Sequence, residues 1–200
     1  MLKVALTGGL ASGKTFVGAT LQNLGCLLIQ ADRLGHEVLL PSGEVYRDVI
    51  RHFGGAILDN EGLIDRRRLA AQVFEDAERL ALLNSLIHPP VRLRVEELMK
   101  VFFADQPEGI AIVEAAIHIE TGGYKDYDLL VLAWCRQEQQ VERAMKRDQT
   151  TREEVLARLK RQMPLDEKQK YARYIIDTSG TKEETVRQAE FLYKELRSRS

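Results

Sequence analysis

Apolar residues along this chain fall into two patterns, short unbroken runs and longer stretches at helical spacing. Five runs stand out: Leu2-Lys3-Val4-Ala5-Leu6-Thr7, Cys26-Leu27-Leu28-Ile29, Ile110-Ala111-Ile112-Val113, Leu129-Leu130-Val131-Leu132-Ala133 and Tyr174-Ile175-Ile176. Runs that are apolar on consecutive positions suit strands buried on both faces, and such strands separated by helical patterns imply a parallel sheet covered by helices. After the first run, Phe16, Val17, Thr20, Leu21 and Leu24 recur at helical spacing, and Gly25 suits the position just past a helix end. Near the other end, Val186, Ala189, Leu192, Tyr193 and Leu196 make one stripe of a helix over 182–197. The pattern predicts a five-stranded parallel α/β sheet.

The region between the second and third strands, residues 36–107, is too long for a connection and is dominated by helical patterns. Pro41-Ser42-Gly43 opens one helix, and Asp65 N-caps a second that runs through Leu69, Val73 and Phe74. A third covers Ala77 to Ile87, where His88-Pro89-Pro90 is expected to end it. The region reads as a helical lobe inserted in a single domain. A second excursion, residues 136–171, is densely charged and reads as a helical hairpin, leaving 1–35, 108–135 and 172–200 for the core.

Gly8-Gly9-Leu10-Ala11-Ser12-Gly13-Lys14-Thr15 matches G-x-x-x-x-G-K-[ST], with a strand before it and a helix after it. A polyphosphate must sit against bare backbone N–H groups, and glycine lets the chain turn sharply and approach closely. The segment from Gly8 to Thr15 is therefore the candidate phosphate cradle. Lys14 supplies a charge near the β- and γ-phosphates, Thr15 a hydroxyl for Mg²⁺, and the helix N-terminus a favourable dipole. A bound triphosphate does not say whether the phosphoryl group goes to water or to an acceptor. The second strand is more informative, because it leads into Ala31-Asp32 and puts a carboxylate past the carboxyl edge of the sheet. Asp32 there can orient an acceptor hydroxyl and take its proton; as an alternative, it caps a helix that begins near Arg33.

A net charge of −1 gives no general attraction to nucleic acid or to an anionic membrane. No apolar stretch approaches the length of a membrane span, and Met1-Leu2-Lys3 leads straight into a strand, so a cytoplasmic protein is expected. Cys26 and Cys135 are too few for a disulfide framework and read as reduced core thiols.

Several motifs in succession resemble the dephospho-CoA kinases. They are Gly8 to Thr15, Ala31-Asp32, Phe53-Gly54-Gly55, Asp65-Arg66 with Leu69, and His88-Pro89, followed by Gln139 with Arg143, Arg147-Asp148, Arg158 with Gln162-Met163-Pro164, and Ile176-Asp177 with Ser179-Gly180. The resemblance implies a P-loop NTPase, similar to adenylate kinase, with a three-layer α/β/α core, a helical substrate lobe and a mobile lid. It implies transfer of the γ-phosphate of ATP to the ribose 3′-hydroxyl of dephospho-CoA with Mg²⁺ as cofactor; no nucleic-acid or membrane partner is expected, and the oligomeric state stays open, with a monomer favoured. Carried over by position, Gly9, Ala11, Ser12, Gly13, Lys14, Thr15 and Phe16 bind the nucleotide, Lys14, Asp32 and Arg143 are catalytic, Asp32, Arg66 and His88 meet the acceptor, and Arg143 and Arg147 belong to the lid.

This chain departs from the family pattern in three places. Glu114 stands where an aspartate is usual, reaching the metal through water, and the proline that commonly follows is missing. His118 replaces an apolar residue and reads as packed core. Arg173 and Thr178 replace an aspartate and an asparagine, which bears on contacts to the adenine. Two other readings compete. One is another small-acceptor kinase, such as a nucleoside monophosphate kinase. The other is a nucleotide switch, suggested by Asp59-Asn60-Glu61-Gly62 but lacking an N-K-x-D signature.

Overall fold

The computed structural model describes residues 1–73 and 76–199. Five strands form one parallel sheet: β1 (Leu2–Gly8), β2 (Leu27–Gln30), β3 (Ile110–Glu114), β4 (Leu129–Trp134) and β5 (Tyr174–Asp177). Their order across the sheet is β2-β3-β1-β4-β5, so β1 is central. The helices are α1 (Lys14–Asn23), α2 (Ala31–Glu37), α3 (Tyr46–Phe53), α4 (Arg66–Val73), α5 (Ala77–Asp105), α6 (Gln137–Asp148), α7 (Arg152–Leu159), α8 (Leu165–Lys168) and α9 (Lys182–Arg197).

The chain divides into two compact units, Met1–Gln30 with Met99–Ser200, and Ala31–Leu98. In the first, the strand period of two sorts side chains between the faces of the sheet. Leu2, Val4 and Leu6 of β1 join Val131, Ala133 and Ile176 on one face, where Val17 and Leu21 of α1 and Ala189, Leu192 and Leu196 of α9 cover them. Ala5 and Leu130 face the other way, against Ile119, Tyr124, Tyr127 and Met163, and Leu132 packs with Cys135 and Leu165. Helices and loops thus cover both faces of a three-layer arrangement. Both cysteines are free and buried; burial pushes the Cys26 thiol up to about 12 and raises that of Cys135. His118 is buried, with Nε2 2.9 Å from the Val113 carbonyl oxygen and its ring edge-on to Tyr127.

In the second unit, Val49, Phe53, Ile57, Leu69, Val73 and Leu83 form a separate core. Asp65 caps α4 as expected, its Oδ1 accepting from the backbone N–H groups of Arg67 and Arg68; Phe74, the expected end of that stripe, lies outside the described residues. Asp59 accepts from the N–H groups of Glu61 and Leu63 and closes a tight turn between Leu58 and Ile64. Its carboxylate is used by that turn, which argues against a guanine-nucleotide switch. Two expectations fail here. Pro89 and Pro90 lie inside α5, and His88 with them, although each proline removes a backbone donor at a cost of about 3 kcal/mol. The apolar stripe explains the continuity: Leu82, Leu83, Leu86, Ile87 and Val91 all pack on the one core, so a break at Pro89 and Pro90 would take Val91 off it. Likewise α2 begins at Ala31, which puts Asp32 inside the first turn and not at the cap.

Candidate active site

The segment after β1 turns back on itself before α1. Ser12 is buried; its Oγ accepts from Gly9 N–H at 3.1 Å while its own N–H donates to the Gly9 carbonyl at 3.2 Å. The turn needs unusual backbone: Gly13 has φ +84° at the entry to α1, and Ala11 has φ +54°, a left-handed conformation that costs a non-glycine residue about 1–2 kcal/mol. The result is a tight loop that leads into the N-terminus of α1, a place that suits an anion. A Cβ on Gly8 would lie 2.2 Å from Ser12 Oγ and 3.1 Å from the Ala133 carbonyl oxygen. Gly8→Ala is therefore expected to destabilise the fold by about 1–3 kcal/mol through overpacking and to abolish measurable ADP binding; calorimetry and thermal melts check both.

Lys14 and Thr15 converge on one buried carboxylate at the end of β3. Glu114 Oε1 accepts from Thr15 Oγ1 at 2.7 Å and lies 3.4 Å from Lys14 Nζ, and its Oε2 accepts from Gln30 Nε2 at 3.1 Å. The parallel register brings this about, setting Gln30 opposite Glu114 and Glu114 opposite Leu6, two residues before the loop. A hydroxyl beside a carboxylate offers hard oxygen donors of the kind Mg²⁺ takes, alongside substrate phosphates and water. Among the described residues no group of three or more His, Cys, Asp or Glu gathers to hold a metal ion.

The charged segment from α6 to α8 packs on the outside of the phosphate loop. Gln140 Nε2 donates to the Leu10 carbonyl at 2.7 Å, and Leu10 N–H donates to Gln162 Oε1 at 2.9 Å. Arg143, predicted to serve the phosphoryl group, donates to the Thr178 carbonyl at 2.7 Å and lies 3.3 Å from Thr178 Oγ1, which in turn donates to the Ser12 carbonyl at 2.8 Å. Arg147 forms a two-point pair with Asp148, which Arg158 also contacts at 2.6 Å. These guanidinium donors hold the Asp148 carboxyl well below the usual carboxylate range. A depressed native pKa means stability that is present above the unfolded value near 3.8 and lost as pH falls below it. Asp148→Asn is expected to cost about 1 kcal/mol at pH 7, or about 2–4 °C in Tm, the group being partly exposed. The difference from the wild type is expected to shrink at pH 3, as differential scanning calorimetry would read.

In the second unit, His36 Nδ1 lies 3.4 Å from Arg66 Nη1. Burial and the Arg66 charge lower the His36 pKa, against an opposing pull from Asp32 one turn earlier on α2. Three polar groups of this unit thus come together: Asp32, His36 and Arg66. Burial alone lowers the pKa of His88 on α5.

The dephospho-CoA kinase family model matches residues 2–184. A dephospho-CoA kinase of Aquifex aeolicus is 39% identical over 98% of each chain. The chain belongs to the dephospho-CoA kinase family. Among solved structures, TT1252 from Thermus thermophilus is similar with a TM-score of 0.86 and 31% identity, over 98% of this chain and 97% of the other. A dephospho-CoA kinase from Campylobacter jejuni shares the fold at a TM-score of 0.62 and 24% identity, over 97% and 96%.

Within this dephospho-CoA kinase family member, the structure gives contacts to residues for which the sequence supplied no role. Gln140 and Gln162 hold the loop tip, Gln30 steadies Glu114, and Lys168 is fully buried behind Gly8. Gln162 had a signal, since it stands in a segment that resembles the family, but its partner lies 152 residues away. Thr178, noted only as a departure, is the link between Arg143 and Ser12.

Proposed function

We propose that this chain transfers the γ-phosphate of ATP to the 3′-hydroxyl of dephospho-CoA, giving ADP and coenzyme A, the last step of coenzyme A synthesis. One observation carries the reading: in a chain of this family, Lys14 and Thr15 at a phosphate-binding loop meet the buried carboxylate of Glu114. In transfer, a bond forms between the acceptor oxygen and the γ-phosphorus as the bridge to the β-phosphate breaks, and the hydroxyl proton passes to Asp32. Gly9, Ala11, Ser12, Gly13 and Phe16 bind the nucleotide with Lys14 and Thr15. Lys14 leaves Glu114 for the phosphates. Thr15, with Glu114 through water, would hold Mg²⁺, which when bound neutralises phosphate charge. Arg66 and His88 meet the acceptor, and Arg143 and Arg147 belong to a lid over residues 136–171 that closes on the phosphoryl group and excludes water.

Two buried free thiols suit a reducing compartment, the basis for placing the protein in the cytoplasm. Among the described residues no helix is long and apolar enough to cross a membrane. A monomer acting on small molecules is the proposed working form. Incubation with Mg·ATP and dephospho-CoA, followed by mass spectrometry, tests the activity. Gain of one phosphate on the 3′-oxygen is the expected result, and phosphorylation of AMP in its place would overturn the reading.

A further inference from the structure

Lys168, the last residue of α8, has no exposed surface. Its Nζ donates to the Gly8 carbonyl at 3.1 Å and to the Ala116 carbonyl at 2.7 Å, and it pairs with Glu120 Oε1 at 2.9 Å. Three acceptors thus stand within reach of the three N–H groups of an ammonium. Each belongs to a different part of the site's frame. Gly8 opens the phosphate loop, Ala116 lies two residues past Glu114, and Glu120 also accepts from the N–H of Met163, four residues after Leu159 closes α7. Burying an ammonium is costly and repaid only by close partners, so a nonspecific filler would be an apolar side chain.

We propose that Lys168 is a positioning residue for nucleotide binding, which ties the phosphate loop to the strand end that carries Glu114. The inference rests on the kinase reading. Lys168 has no surface with which to touch a ligand, so it acts through the backbone. Its bond to the Gly8 carbonyl orients the peptide planes that follow, and with Gln140 and Gln162 on Leu10 it fixes the outer curve of the loop at three points. The backbone donors of the loop are thereby set before an anion arrives, which is where preorganised donors gain their strength.

Lys168→Met keeps the stem and removes the charge. The expected result is an ADP dissociation constant raised about tenfold or more, and a KM for ATP raised with it, while the KM for dephospho-CoA stays within about twofold. A side chain that only supported the fold would lower Tm and leave ADP affinity of the folded protein unchanged, and that outcome overturns the proposal. Should Lys168→Met fail to fold, Glu120→Ala decides: it removes one of the three acceptors, and a rise of about threefold in the ADP dissociation constant is expected. Unchanged ADP affinity in that variant sinks the idea. Because calorimetry with ADP needs no acceptor, failure of the wild type to phosphorylate dephospho-CoA would remove the proposed function and leave this measurement intact.

Discussion

Asp32→Asn is expected to lower kcat for phosphoryl transfer by about 10²–10⁴ and to leave ADP affinity within about twofold, because a proton acceptor acts on the chemical step and not on nucleotide binding. Asparagine has the same size and still accepts a hydrogen bond, but it cannot take the proton of the attacking hydroxyl. Stability provides the control. Asp32 is exposed in the first turn of α2, and its negative charge near the helix N-terminus is worth about 0.3–1 kcal/mol. A drop in Tm of more than a few degrees would therefore signal some other damage. Because α2 starts at Ala31, Asp32 does not serve as the cap, and capping cannot account for a large kinetic loss. Near wild-type kcat in a stable variant would remove Asp32 from the chemistry.

The sheet was legible because β1, β3 and β4 are buried on both faces and so read as unbroken apolar runs, whereas the edge strand β5, with Ile175 and Asp177 exposed, offered only a short one. The phosphate loop was legible because its constraints are local: a positive φ at Gly13 and a close approach at Gly8 are met within eight residues. Helix α9 was readable to its ends, where Thr181 and Glu184 form a reciprocal cap. The failure at Pro89 and Pro90 has the opposite cause. A proline rule is local, whereas the packing of Leu86, Ile87 and Val91 on one core is tertiary and decides the outcome. The supports of the loop were hidden for a related reason. A lysine within Asp-Glu-Lys-Gln-Lys reads as solvated surface, and only the contact to Gly8, 160 residues away, makes Lys168 the most deeply buried charge among the described residues. Glu114 lay between these extremes, since a carboxylate at the end of the third strand was readable but its bond to Gln30 depends on the β2–β3 register.

Arg143→Ala separates two roles that the structure brings into contact. An arginine that stabilises the transferring phosphoryl group contributes about 10³–10⁵ in rate, or roughly 4–7 kcal/mol. An arginine that only braces Thr178 contributes far less, since hydrogen bonds of a charged group to a carbonyl and a hydroxyl are worth about 1.5–3 kcal/mol of stability and none of it need appear in kcat. Its guanidinium sits on Thr178, whose hydroxyl reaches the Ser12 carbonyl, so Arg143 is one side chain removed from the phosphate loop. To serve the phosphoryl group it must leave Thr178 through closure of the proposed lid, exchanging a neutral carbonyl for a phosphate oxygen, a stronger charge-assisted partner. The expected result for Arg143→Ala is a kcat reduced by about 10³ or more, with Tm lowered by roughly 3–12 °C as the bonds to Thr178 are lost. Thr178→Val is the informative companion: it removes the hydroxyl but keeps the carbonyl, and under the catalytic role it leaves kcat within about tenfold of the wild type. Arg143→Lys refines the assignment, because an ammonium keeps the charge and loses the planar fork, so a partial recovery marks charge and no recovery marks two-point geometry. If Arg143→Ala and Thr178→Val lower kcat equally, the arginine is a brace, and the phosphoryl role passes to Arg147, whose partner Asp148 is already shared with Arg158.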